Sequence, residues 1–227
     1  MILAVLGGRG GVGTSVLAFE LAAELDAVVV DADLSMADLP LGRGPNLHDV
    51  LAGRATPAEA IRHDAEVRIV PCGRSLAGAR AADPATLVET LGTIADEHGL
   101  TVVDCPSGLH GGVALPLLAA DACVIVTTPR DGALAAARRA GAFARDHQVG
   151  IARVVLNRTV EDPPTDAVRD ALGVPTISVP EARAIERAWE TGVPVGTVSP
   201  ETEAAARIRR LSAEIAEVLS LDQSRRS

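Results

Sequence analysis

The stretch GGRGGVGTS, residues 7–15, follows an apolar run at 2–6 and precedes an apolar segment at 16–25. Strand, glycine loop and helix in that order form the frame of a phosphate-cradling loop. The glycines let successive backbone N–H groups turn toward one anion, and the helix adds the partial positive charge of its N-terminus. In the usual loop a lysine precedes the final serine or threonine and reaches the outer phosphates. That position here is Thr14. The backbone of the cradle is intact and its charge is missing.

Outward from the loop, the chain alternates two kinds of segment. Apolar, β-branched runs at 27–30, 67–70, 101–103, 123–127, 154–156 and 174–179 predict strands. Their near-continuous apolar character predicts cover on both faces, hence a mostly parallel sheet. Helices are expected over 16–25, 84–98, 133–147, 166–172, 181–190 and 202–219, the last with Ile208, Leu211, Ile215 and Val218 on one face. The fold class is therefore α/β, doubly wound, with ligands expected at the carboxyl ends of the strands. One domain is expected over 1–219, with a polar, flexible tail over 220–227.

Composition narrows the classes. The 227 residues carry 21 basic and 30 acidic side chains, a net charge of −9, and every basic residue is arginine. A lysine-free background accounts for an arginine at position 9 but not for Thr14, because drift from lysine to arginine keeps the charge. No apolar stretch approaches the ~20 residues of a membrane span. The chain enters its first strand at once, which predicts no signal peptide. Three cysteines, Cys72, Cys105 and Cys123, with no CxxC pair, predict a disulfide-free, cytoplasmic protein.

Acidic residues gather where the strands end. Asp31 and Asp33 close the second strand in VVVDADLSMADLP, and Asp104 closes another in LTVVDCPSGLHGG. A lone strand-ending Asp caps a turn more often than it serves a ligand. Three such positions beside a glycine loop favour a nucleotide site, where carboxylates hold metal-bound waters or orient an attacking water.

With these motifs in place the chain resembles the MinD/ParA family of deviant-Walker-A P-loop ATPases, of the SIMIBI class that includes the nitrogenase iron protein. RGGVGTS, residues 9–15, is similar to the family's KGGVGKT. The segment 31–39 resembles its second-strand motif, and NLHDVLAG, residues 46–53, the stretch after switch I. DCPSGLHGG, residues 104–112, resembles its Walker B and switch II. The run 177–195, ISVPEARAIERAWETGVPV, resembles its C-terminal signature. The likeness covers essentially the whole chain, and the MinD side fits better than the ParA side.

The resemblance implies specific roles. Gly10, Gly11, Val12, Gly13, Thr14 and Ser15 would cradle the phosphates of ATP or ADP, and Ser15 would ligate Mg²⁺. Asp33 would orient the hydrolytic water; Asp31 and Asp104 would hold the metal's waters. Asn157 would read the adenine edge, with Pro180 packing near the base. Arg9 stands where the family's signature lysine reaches across a nucleotide-sandwiched dimer, as a bulkier, bidentate donor. Loss of the lysine at Thr14 removes on the order of 2–4 kcal/mol of charge interaction, roughly 30- to 1,000-fold in affinity or rate. His110 in the switch II-like loop is expected to be solvated, Cys105 to be a small buried residue, and Trp189 to be packing.

Partners divide the family. The short tail, with Arg225 and Arg226, is a poor membrane anchor. The net charge of −9 opposes DNA binding, although Arg138, Arg139 and Arg145 could form a local patch. A protein partner remains, as a nucleotide-dependent homodimer or a heterodimer with a paralogue. Two functions stand. One is a MinD-like ATP-binding switch for spatial organisation in cell division or chromosome partitioning, with weak or slow hydrolysis. The other is a pseudo-ATPase scaffold or regulatory partner of an active paralogue.

Overall fold

The computed structural model describes residues 1–35, 39, 43–63, 66–108 and 111–226, with side chains as far as Leu221. Seven strands lie in it: β1 (Ile2–Gly7), β2 (Val28–Asp31), β3 (Arg68–Val70), β4 (Thr101–Asp104), β5 (Ala122–Thr127), β6 (Gly150–Thr159) and β7 (Thr176–Pro180). They form one sheet in the order β3-β2-β4-β1-β5-β6-β7. Every neighbouring pair is parallel, so the sheet expected to be mostly parallel is wholly so.

Eleven helices connect the strands among the described residues: α1 (Thr14–Glu24), α2 (Leu47–Leu51), α3 (Pro57–Ala60), α4 (Leu76–Ala81), α5 (Leu87–His98), α6 (Gly111–Ala119), α7 (Ala133–Asp146), α8 (Thr165–Leu172), α9 (Arg183–Thr191), α10 (Val195–Val198) and α11 (Glu203–Arg226). Strand period two sorts the core between two layers. Leu3 and Val5 of β1 pack with Phe19 of α1, Ala188 of α9 and Leu211 of α11. Ile2, Ala4 and Leu6 face the other way, against Leu91 and Ile94 of α5 and Leu117 of α6. Ala137 and Ala140 of α7 and Val168 of α8 extend that second layer over Ile125, Val154 and Leu156. Among the described residues no helix is long and apolar enough to cross a membrane.

Three elements differ from expectation by more than two residues at an end; the strand expected over 154–156 is the ten-residue β6, Gly150–Thr159. The helix expected to end at 219 runs on to Arg226, so residues 220–226 continue α11. The segment 84–98 opens with a 3₁₀ turn, Pro84–Thr86, before α5. Four short helices and α6 had no expectation attached. Two of them carry complete capping boxes, Asn46 with Asp49 and Thr56 with Glu59, which offset the cost of nucleating so few turns. α6 begins Gly-Gly and holds Pro116 in its interior, a composition that disguises it.

β1 is central, with β4 on one side and β5 on the other. The loop at 8–13 therefore leaves the sheet where the strand order reverses, the crevice at which open α/β sheets take ligands.

Candidate functional site

Gly13 begins the site. It caps α1 in the left-handed region (φ 94°, ψ 29°), a conformation that side chains resist, and no side chain caps the helix. The first N–H groups of α1 are thus left without a side-chain partner at the loop. Close packing sets the rest of the loop: a Cβ on Gly8 would stand 2.2 Å from the carbonyl oxygen of Ala136, so the loop rests directly on the backbone of α7. Gly10 and Gly11 are exposed, as the rim of an anion cradle must be. Val12 is buried beneath them at 3% exposure.

Thr14 is buried, and its Oγ1 turns back over Gly7, where a methyl group would collide with it. Its hydroxyl is directed at the end of β1. Ser15, the next residue along, is half-buried. Arg9 is exposed and its Nη1 donates to the carbonyl of Asp131 at 3.0 Å, bringing its charge to the start of the segment before α7.

The acidic residues meet at the same rim. In the parallel register Asp104 lies beside Val5 of β1 and beside Asp31 of β2. Both carboxylates are buried, at 1% and 0% exposure. Gly108 N–H donates to the Gly7 carbonyl at 3.2 Å, tying the segment after β4 to the glycine loop. Asp31 organises its own loop: Oδ1 accepts from the N–H of Asp33 at 3.2 Å and Oδ2 from that of Leu39 at 3.1 Å. Asp33 is half-buried and its Oδ1 accepts from both the N–H and the hydroxyl of Ser35.

A cavity of about 280 Å³ adjoins the loop, lined by Gly13, Val16, Asn157, Pro180, Ile185 and Trp189 among others. Asn157 and Pro180, both expected at the base, thus face one space beside the cradle. Asn157 is bonded to the loop itself, Nδ2 donating to the Val12 carbonyl at 2.8 Å. The α9 wall of this cavity was missed from sequence. Trp189 does pack, edge-on to Phe19 with ring centroids 6.0 Å apart, but it also lines the cavity. The signal available was the i, i+4 pair Ile185 and Trp189 following Pro180.

The minor expectations are resolved in part. Cys105 is buried; burial first, and then the neighbouring Asp104, push its thiol well above the usual range, so it carries no reactive thiolate. His110 and residues 36–38 of the second-strand motif lie outside the described residues. Arg138, Arg139 and Arg145 are exposed on α7, with Arg145 bonded to the Leu172 carbonyl.

An all-parallel sheet with a glycine loop after its central strand is the architecture of the P-loop NTPase fold. No protein-family model matches the chain. An uncharacterised ATP-binding protein of Methanocaldococcus jannaschii is 31% identical over 94% of this chain and 86% of its own length. The cell division ATPase MinD of Pyrococcus furiosus superposes with a TM-score of 0.88 at 29% identity, covering 96% of this chain and 98% of that one. The septum site-determining protein MinD of Pyrococcus horikoshii, complexed with Mg-ADP, matches with the same TM-score, 0.88, at 26% identity over 97% and 98%. The chain belongs to the MinD/ParA family of ATP-binding proteins.

Proposed function

We propose that this chain binds ATP and ADP with Mg²⁺ as a MinD-like switch and hydrolyses ATP slowly. The observation that carries the reading is the uncapped head of α1, behind a glycine loop, opening beside the cavity of Asn157 and Pro180. Backbone N–H groups of residues 10–15 receive the phosphates, and the base enters the cavity. Ser15 and Asp104 supply hard oxygen donors for Mg²⁺, with Asp31 beside them. Among the described residues no three His, Cys, Asp or Glu side chains cluster as a metal cage. Bound there, Mg²⁺ would neutralise phosphate charge. Asp33 orients the attacking water, and Arg9, exposed on the glycine loop, offers positive charge.

Thr14 limits the rate. Its short, inward-turned hydroxyl stabilises no charge on the transferring phosphoryl group. The same observation supports a second reading, a pseudo-ATPase that keeps the fold as scaffold or regulatory partner of an active paralogue. As the switch, its working form is a homodimer or heterodimer closed by nucleotide, in the cytoplasm, with a role in positioning during division or partitioning. Calorimetric titration with ATP and ADP, with and without Mg²⁺, separates the two. The switch gives saturable, Mg²⁺-dependent heat for both nucleotides; absence of heat for either leaves only the scaffold.

A further inference from the structure

One side chain joins the two halves of the site. Asn157 comes from the end of β6 and Val12 from the loop after β1, yet Nδ2 reaches the Val12 carbonyl at 2.8 Å. The bond is buried; Asn157 is 6% exposed. A break in the β6–β7 ladder sets it up. The register shifts between Asn157 and Thr159, and Arg158 between them sits in the left-handed region at φ 56°. Such a bulge re-aims a neighbouring side chain, and strained backbone of this kind collects at working sites. On the loop side the fit is equally tight. A Cβ on Gly13 would stand 2.3 Å from Nδ2, so only glycine lets the loop approach this amide.

In a trans peptide the carbonyl and the following N–H point in opposite directions. A Val12 carbonyl held by Asn157 fixes the Gly13 N–H facing away from Asn157. We propose that Asn157 is a positioning residue for the phosphate loop, holding its amides in the anion-binding arrangement and coupling that arrangement to occupation of the base cavity. The proposal rests on the nucleotide reading above and goes beyond base recognition. It has particular force here because Thr14 brings no charge. Phosphate affinity then depends on the orientation of backbone N–H groups, and a clamp on that backbone carries more of it.

The test uses a ligand with no base. Asn157→Ala removes the amide, and Asn157→Asp keeps its size while replacing the donor by an acceptor. Two quantities are read in each full-length variant: backbone ¹⁵N order parameters of residues 11–15 without ligand, and affinity for tripolyphosphate with Mg²⁺. The clamp requires the order parameters at 11–15 to fall while the protein remains folded. It requires tripolyphosphate to weaken at least tenfold, and ATP by no less. Unchanged loop order parameters overturn the proposal. So does unchanged tripolyphosphate affinity beside weakened ATP, which would make Asn157 a reader of the base alone. If the unaltered protein binds neither ligand, the nucleotide reading fails, and the order parameters by themselves decide the clamp.

Discussion

On the proposed reading, Thr14 is the residue on which activity turns. A lysine there would extend from the head of α1 across the cradle; the threonine folds back over Gly7 instead. Thr14→Lys is therefore expected to raise ATP affinity or turnover more than tenfold, as a restored charge contact of on the order of 2 kcal/mol implies. No gain in calorimetry or phosphate release would mean that more of the site has changed than one side chain. On the same reading the metal-side residues and Asp33 separate by role. Ser15→Ala and Asp104→Ala should each abolish the Mg²⁺-dependent part of nucleotide binding. Asp33→Ala should spare binding and remove residual hydrolysis. Comparable binding losses in all three variants would contradict the assignment of Asp33 to water. The meeting of the glycine loop with the strand-ending acids was legible in the sequence, because these residues are close to their motifs along the chain. The bond from Asn157 to Val12 was not. Its partners stand 145 residues apart, and no local pattern marks a side chain that meets a backbone carbonyl.

At the scale of elements, the seven strands were readable because β-branched apolar runs have few other uses. The short helices were not, because four to six residues give periodicity nothing to repeat; only the capping boxes of α2 and α3 were there to be read. α1 holds a feature of another kind. Glu20 lies in its middle at 1% exposure, both carboxylate oxygens accepting from the N–H of Val195 at the start of α10. Burial pushes its pKa up to about 7, the Val195 hydrogen bond pulls down against that, and Glu24 adds to the rise. From pH about 4.5 to about 7 the folded state keeps a proton that the unfolded chain releases. Stability from this group is accordingly full below that window, falls as pH rises through it, and is lost above it, by about 3 kcal/mol at most. Glu20→Gln keeps an acceptor for Val195 and carries no charge. It should match the unaltered protein at pH 4.5 and exceed it in denaturant melts at pH 8. An equal difference at both pH values would place the effect in packing instead.

For the whole molecule, the net charge of −9 sets how two copies can meet. Acidic faces repel, and only arginine, Mg²⁺ and phosphate placed between them can offset this. Arg9 rests on Asp131 within its own chain, so it must leave that carbonyl to reach a partner's phosphates. The expected behaviour is a monomer without nucleotide and an ATP-dependent dimer that strengthens with salt as repulsion is screened. Arg9→Ala should abolish the dimer and leave thermal stability nearly unchanged, since the side chain is exposed and supports no core. A nucleotide-independent dimer in light scattering, indifferent to Arg9→Ala, would favour the scaffold. All of this depends on nucleotide entering between the glycine loop and α9, and the molecule carries its own reporter there. Trp189 is the sole tryptophan and lines that cavity. Titration of the protein with ATP and Mg²⁺ should change its fluorescence saturably, with the change weakened when Mg²⁺ is chelated. A flat, unsaturating signal from folded protein at millimolar ATP would contradict the account.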